Sequence, residues 1–189
     1  MSEPEPTTKG TILRSLLKFV EKDLNAEQRS RAYASLPAED QPFLNASSVL
    51  SSQKVPEFLL NRITEAAARE KGEPLDSFGR RAGRAELADA VGVYRFLTMI
   101  LTPTALLRKA STLWSTVHSV GALVVDRDEE GAATISLVRF PSERAHCARM
   151  SGWFEGAAVI TKARNPRILH DLCVTRGDER CRWQLTWSK

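Results

Sequence analysis

The residues best equipped for chemistry lie late in the chain: its three cysteines are Cys147, Cys173 and Cys181, and His170 stands three residues before Cys173. Three thiolates and one imidazole form a closed tetrahedral Zn2+ set, with bonds of about 2.3 Å to sulfur and about 2.0–2.1 Å to nitrogen. A hairpin turning at Arg176-Gly177-Asp178 sets Cys173 opposite Cys181, with Cβ atoms about 5 Å apart, and Cys147 on a helix over that hairpin supplies a third sulfur. On an ideal strand residues 170 and 173 face opposite sides, so His170 joins them only through a loop or a bulge. His146, beside Cys147, is a rival ligand. Two other readings stay open: buried thiols with a hydrogen-bonded histidine, and a Cys173–Cys181 disulfide, since the spacing is not a paired CxxC form.

Catalysis finds little support. His118, His146 and His170 are the only groups able to serve as a neutral-pH base, and a ligand-saturated metal leaves no position for water. No G-x-G-x-x-G or G-x-x-x-x-G-K-[ST] loop occurs, and the two S-x-x-K matches, at Ser15 and Ser51, lack their partner motifs. A non-enzymatic chain is expected. His118 follows Trp114 and Val117, so an axial heme imidazole is conceivable. The chain has no Tyr-x-Ser-x-Arg propionate motif, and His118 is read instead as a helix C-terminal residue near free carbonyls, so heme is not expected.

Composition sets the frame for these residues. With 189 residues, 42% hydrophobic and 26% charged, the chain has the makeup of one ordinary globular domain that needs no disulfide. Lys and Arg number 27 against 23 acids. The excess sits in the C-terminal half, without the dense basic stripe of a nucleic-acid binder. No apolar run reaches membrane-spanning length, and the expected setting is cytoplasmic, where thiols stay reduced. Arg80, Arg81 and Arg84 read as a solvated helix face or a contact for an acidic partner.

Periodicity supplies the elements. Residues 1–8 read as a flexible start. Ile12, Leu13, Leu16, Leu17, Val20 and Leu24 mark a helix that Thr7 or Thr8 could cap, and a second runs from Pro56 to Gly72. A third spans about Ser77 to Leu101, with possible breaks at Gly83 or Gly92. Thr102-Pro103 opens a fourth through Leu106, Trp114 and Val117. Strands at 123–125 and 135–138 make one hairpin. Ser142 caps a further helix to about Thr161, and Ile168–Thr175 pairs with Cys181–Trp187 in the last hairpin. The expected fold class is α+β: a single domain at 9–189, in which a helical part at 9–101 packs on a small antiparallel sheet (β-hairpin, helix, β-hairpin) at 102–189, ending in the metal-site hairpin.

The segment from Leu106 to Trp187 resembles the 4-vinyl-reductase-like domain, through Cys147, Cys173 and Cys181 with Gly152-Trp153-Phe154-Glu155-Gly156 and Cys173-Val-Thr-Arg-Gly177-Asp178-Glu-Arg-Cys181. That domain shares a superfamily with heme NO-binding sensors and TRAPP vesicle-tethering subunits. The similar sensor domains of phenol-responsive activators bind zinc through three cysteines and an acidic residue three before the second; here His170 takes the acidic position. Lys9-Gly10 through Glu21 is similar to the start of heme NO-binding domains and of uncharacterised bacterial paralogues. The resemblance implies a structural zinc held by Cys147, His170, Cys173 and Cys181. It also implies a pocket for a small apolar or aromatic ligand, with Tyr94, Phe96, Met99, Trp114, His118 and Trp153 as candidate lining. The expected function is small-molecule sensing or adaptor signalling towards a second copy or another protein. The alternatives are a ligand-free dimerisation module like TRAPP subunits and a heme or gas sensor.

Overall fold

The computed structural model describes residues 5–90, 102–161 and 163–188. Its N-terminal half is helical. Thr7–Lys9 (β1) pairs antiparallel with Lys54–Pro56 (β2), and around this ribbon run α1 (Gly10–Asp23), α2 (Ala26–Ala34), a short 3-10 helix (Ala38–Phe43), α3 (Glu57–Lys71) and α4 (Leu75–Ala90). The expected stripe of α1, from Leu13 to Val20, is buried. Its expected cap is not used: Thr7 and Thr8 are strand residues, and Lys9 holds the N-cap position without a side-chain bond. α3 begins after Pro56 and ends at Gly72, whose φ of 70° is left-handed and costs glycine nothing. α2 was not foreseen. Asn25 caps it by accepting the Gln28 N–H at 2.8 Å, while Gln28 returns the bond.

The C-terminal half is α+β as expected. α5 (Pro103–Val117) starts at Thr102, whose hydroxyl accepts the Ala105 N–H, with Pro103 in the first turn. Then come β3 (Ala122–Glu129), β4 (Ala132–Val138), α6 (Arg144–Ile160), β5 (Arg164–Leu172) and β6 (Cys181–Ser188). The four strands form one antiparallel sheet in the order β3-β4-β6-β5. The two hairpins are joined by β4–β6 pairing, with Ile135 opposite Trp183 and Leu137 opposite Cys181. α6 covers the apolar face, setting Phe154 edge-on to Trp183 at 5.3 Å. Ser142 does not cap α6; Glu143 takes the N-cap position without a side-chain bond.

α4 runs unbroken through Gly83 because glycine serves packing there. A Cβ at Gly83 would strike the Arg149 carbonyl, and one at Gly152 the Arg80 carbonyl, so α4 and α6 meet backbone to backbone. Gly92 and Phe96 to Leu101 lie outside the described residues. Two main cores result, one within Leu13–Ala82 and one within Leu107–Leu185.

Candidate functional site

The sulfur cluster is built by a departure from strand regularity. β5 is irregular between His170 and Leu172, and the bulge brings His170 and Cys173 to one side, as the sequence argument required. The ladder ends where Leu172 pairs with Arg182, and the same register carried one residue further sets Cys173 across from Cys181, with their sulfurs 4.0 Å apart. Cys173 lies just past the strand, where a 3-10 turn (Val174–Arg176) closes at Gly177 with φ 92°. The Asp178 carboxylate accepts the Cys173 N–H at 2.6 Å and pins the turn. Cys147 enters from the first turn of α6.

The three sulfurs are 3.5 Å (Cys147–Cys181), 3.7 Å (Cys147–Cys173) and 4.0 Å (Cys173–Cys181) apart. A disulfide would hold two of them at about 2.05 Å. A tetrahedral ion with metal–sulfur bonds of about 2.3 Å has sulfur–sulfur edges of about 3.8 Å. The observed triangle has the second size. One ligand atom of His170 lies within 4.8 Å of all three sulfurs, and its Nε2 is buried without a hydrogen-bond partner, while its ring stacks on Trp183 at 4.4 Å. Within the cluster the Cys147–Cys181 hydrogen bond and burial together raise Cys147's pKa, while the same bond lowers that of Cys181 against the effect of burial. His146 is not part of this group. It is buried against Phe140 at 4.6 Å, and burial pushes its pKa down to about 3.

His118 forms a second constellation. Its ring stacks on Trp114 at 4.0 Å and meets Phe140 edge-on. Its side chain does not turn to the helix carbonyls as expected, because Glu57 of α3 offers a stronger acceptor: Nδ1 lies 3.1 Å from Glu57 Oε2. Glu57 is fully buried. Burial acts to raise its pKa, but the His118 bond and the nearby His118, His146 and Arg149 bring it below the usual value. The backbone joins the same seam: His118 bridges Thr8, and the Ser119 N–H donates to the Thr7 carbonyl at 2.9 Å.

The remaining pocket candidates are divided. Trp114 is with His118, whereas Trp153 packs beside Phe154 and against the cluster of Leu87, Leu106 and Ala157. Tyr94, Phe96 and Met99 lie outside the described residues. Sequence reasoning missed Glu57, and also the buried pair in which Arg149 Nε donates to Glu86 at 2.8 Å. These partners come from separate helices, and no local pattern marks them.

No protein-family model matches the chain, and no curated protein matches its sequence. Solved structures do. The architecture is that of H-NOX domains, the heme NO/oxygen sensors. An H-NOX protein from S. oneidensis in the Fe(II)NO state superposes with a TM-score of 0.74 at 15% identity, over 96% of this chain and 99% of that one. The Fe(II) unliganded H-NOX protein from K. algicida gives 0.73 at 13% identity, over 96% and 97%. An oxygen-binding H-NOX domain related to soluble guanylate cyclases gives 0.69 at 12%, over 96% and 95%.

Two expectations are thereby corrected. The resemblance to the 4-vinyl-reductase-like domain and to TRAPP subunits is overturned, since the structural neighbours are H-NOX domains, and a TRAPP-like assembly role loses its basis. The expectation of zinc without heme is overturned as well, because heme is the group of these neighbours. The Cys/His cluster is present, but it does not fix the identity of an ion.

The fit of heme to this chain turns on its three histidines. His170 belongs to the sulfur cluster and His146 is packed into the core. His118 has Nδ1 3.1 Å from a buried carboxylate, the second partner usual for a metal-binding imidazole. The donor chemistry fits. Among the described residues no helix is long and apolar enough to cross a membrane.

Proposed function

We propose that the chain is a non-catalytic small-molecule sensor of the H-NOX fold that carries heme through His118. The supporting observation is the His118–Glu57 pair at the seam of the two cores, in a chain whose backbone follows H-NOX domains over 96% of its length. Bound heme would supply an iron able to hold a diatomic gas or another small ligand. Glu57 fixes the tautomer and orientation of the imidazole, and Trp114 packs one face of the ring. The Glu57 N–H donates to the Pro6 carbonyl and the His118 backbone bridges Thr8, so movement of the imidazole pulls on both halves. A cytoplasmic setting and a second copy or protein partner that receives the signal belong to this reading.

Hemin titration under reducing conditions tests it. The wild-type chain is expected to give a Soret band that shifts with nitric oxide. His118→Ala loses the band, and added imidazole restores it. A chain that takes up no hemin, or an unchanged spectrum in His118→Ala, overturns the proposal.

A second reading rests on the sulfur triangle: Cys147, His170, Cys173 and Cys181 hold one metal ion that ties α6 to the β5–β6 turn. Its role is structural, since four protein ligands leave no open position. Elemental analysis of protein purified without chelator is expected to find close to one transition-metal ion per chain.

A further inference from the structure

A cavity of about 500 Å3 opens beside the sulfur cluster, and arginines from three separate elements line it: Arg80 of α4, Arg144 at the start of α6 and Arg176 in the turn after β5. Two of them are held by the protein. Arg80 pairs with Glu155, and Arg176 Nη2 donates to the Asp171 carbonyl at 2.9 Å and to the His170 carbonyl at 3.4 Å. A guanidinium carries five N–H donors, so these bonds orient the groups without using them up.

The wall has one carboxylate, Asp76, and a small apolar side made by Ile168 and Ala148; Leu169, opposite the exposed Gln184, turns its side chain to the other face of the sheet. Its volume falls within the roughly 300–1,000 Å3 of small-ligand sites. The first turn of α6 borders the cavity through Cys147; its N-cap is Glu143, whose side chain makes no capping bond, so the helix N–H groups there are left to add to the arginines' donors. Planar guanidinium groups recognise oxyanions by paired hydrogen bonds, and holding them in place beforehand lowers the entropy lost on binding.

We propose that this cavity binds a small organic acid, with its carboxylate on the arginines and its short apolar body against Ile168 and Ala148. The site is separate from His118 and does not depend on the heme reading. Its occupant would lie over Cys147 and Cys173 and shield the sulfur cluster from solvent.

Calorimetric titration of the full chain at low salt, with sodium benzoate and inorganic phosphate as probes, tests the proposal. Benzoate is expected to bind, and phosphate to bind more weakly because only benzoate covers Ile168 and Ala148. The double variant Arg144→Ala/Arg176→Ala removes two exposed side chains and should keep its melting temperature while losing benzoate affinity by at least about tenfold. Ile168→Ala should weaken benzoate and leave phosphate unchanged, whereas Leu169→Ser, on the other face of the sheet, should alter neither. Three results would overturn the inference: no benzoate binding up to about 10 mM, phosphate binding as tightly as benzoate, or unaltered affinity in a folded double variant.

Discussion

Cys181 meets Cys147 at 3.5 Å, and that hydrogen bond lowers its pKa and so favours the thiolate that a metal needs. Cys181→Ser is therefore expected to abolish metal retention and to lower the melting temperature by about 5–10 °C, the shift that a loss of 2–3 kcal/mol produces in a chain of this size. Elemental analysis and a thermal melt check it together. Arg81 makes a different case. Its guanidinium lies 5.4 Å from the ring centres of Phe19 and Phe78, and it donates to Asp23 at 2.5 and 2.9 Å and also to Glu73. These bonds hold both carboxyls below their ordinary values, against the opposing effect of burial. A carboxyl with a depressed folded pKa contributes stability above its ordinary value, here 3.8 for Asp and 4.5 for Glu, and loses it as pH falls through the folded value. Arg81→Ala should cost about 1–2 kcal/mol at pH 7, stacking included, and distinctly less near pH 3. Urea unfolding at the two pH values reads the difference.

Between elements, the α4–α6 contact depends on absent side chains. Gly83→Ala gains up to about 1 kcal/mol of helix propensity, but its methyl would strike the Arg149 carbonyl. Backbone on both sides cannot yield cheaply, so a net loss of about 2–3 kcal/mol is expected. Gly156→Ala is the contrast: its Cβ would press on the far end of the Leu87 side chain at 3.1 Å and reach the Arg84 backbone only at an ordinary 3.5 Å, and the change should cost less than about 1 kcal/mol. Denaturant midpoints separate the two. Sequence reasoning read Gly83 as a possible break because a glycine in a helical pattern looks the same whether it interrupts the helix or admits a neighbour. α3 was legible from Pro56 and Gly72, which punctuate it locally. α2 buries only Ala32 among its nine residues, too little for a stripe, though the Asn25–Gln28 capping box was there to be read. The terminal hairpin was legible by alternation, whereas β4–β6 pairing joins residues far apart in sequence and left no local trace.

At the scale of the whole molecule, the cysteine spacing made the Cys/His cluster legible but pointed to the wrong relatives. A helix laid over a hairpin is a local unit that different folds can contain, so its motif does not determine the global topology. The similarity of Lys9–Glu21 to heme NO-binding domains agreed with the neighbours later found. The Glu57–His118 seam was beyond reach, because its partners are 61 residues apart and no local pattern links them. Those cores predict a graded response to metal removal. The ion would be held by residues of the Leu107–Leu185 core alone, so a chelator should loosen that core first. Hydrogen exchange is expected to speed up in β5, β6 and the first turn of α6, while amides of α1 and α3, packed within Leu13–Ala82, keep their protection. Equal loss of protection in both cores would mean that the seam makes them one cooperative unit. Unchanged exchange everywhere would show that the four residues carry no stabilising ion.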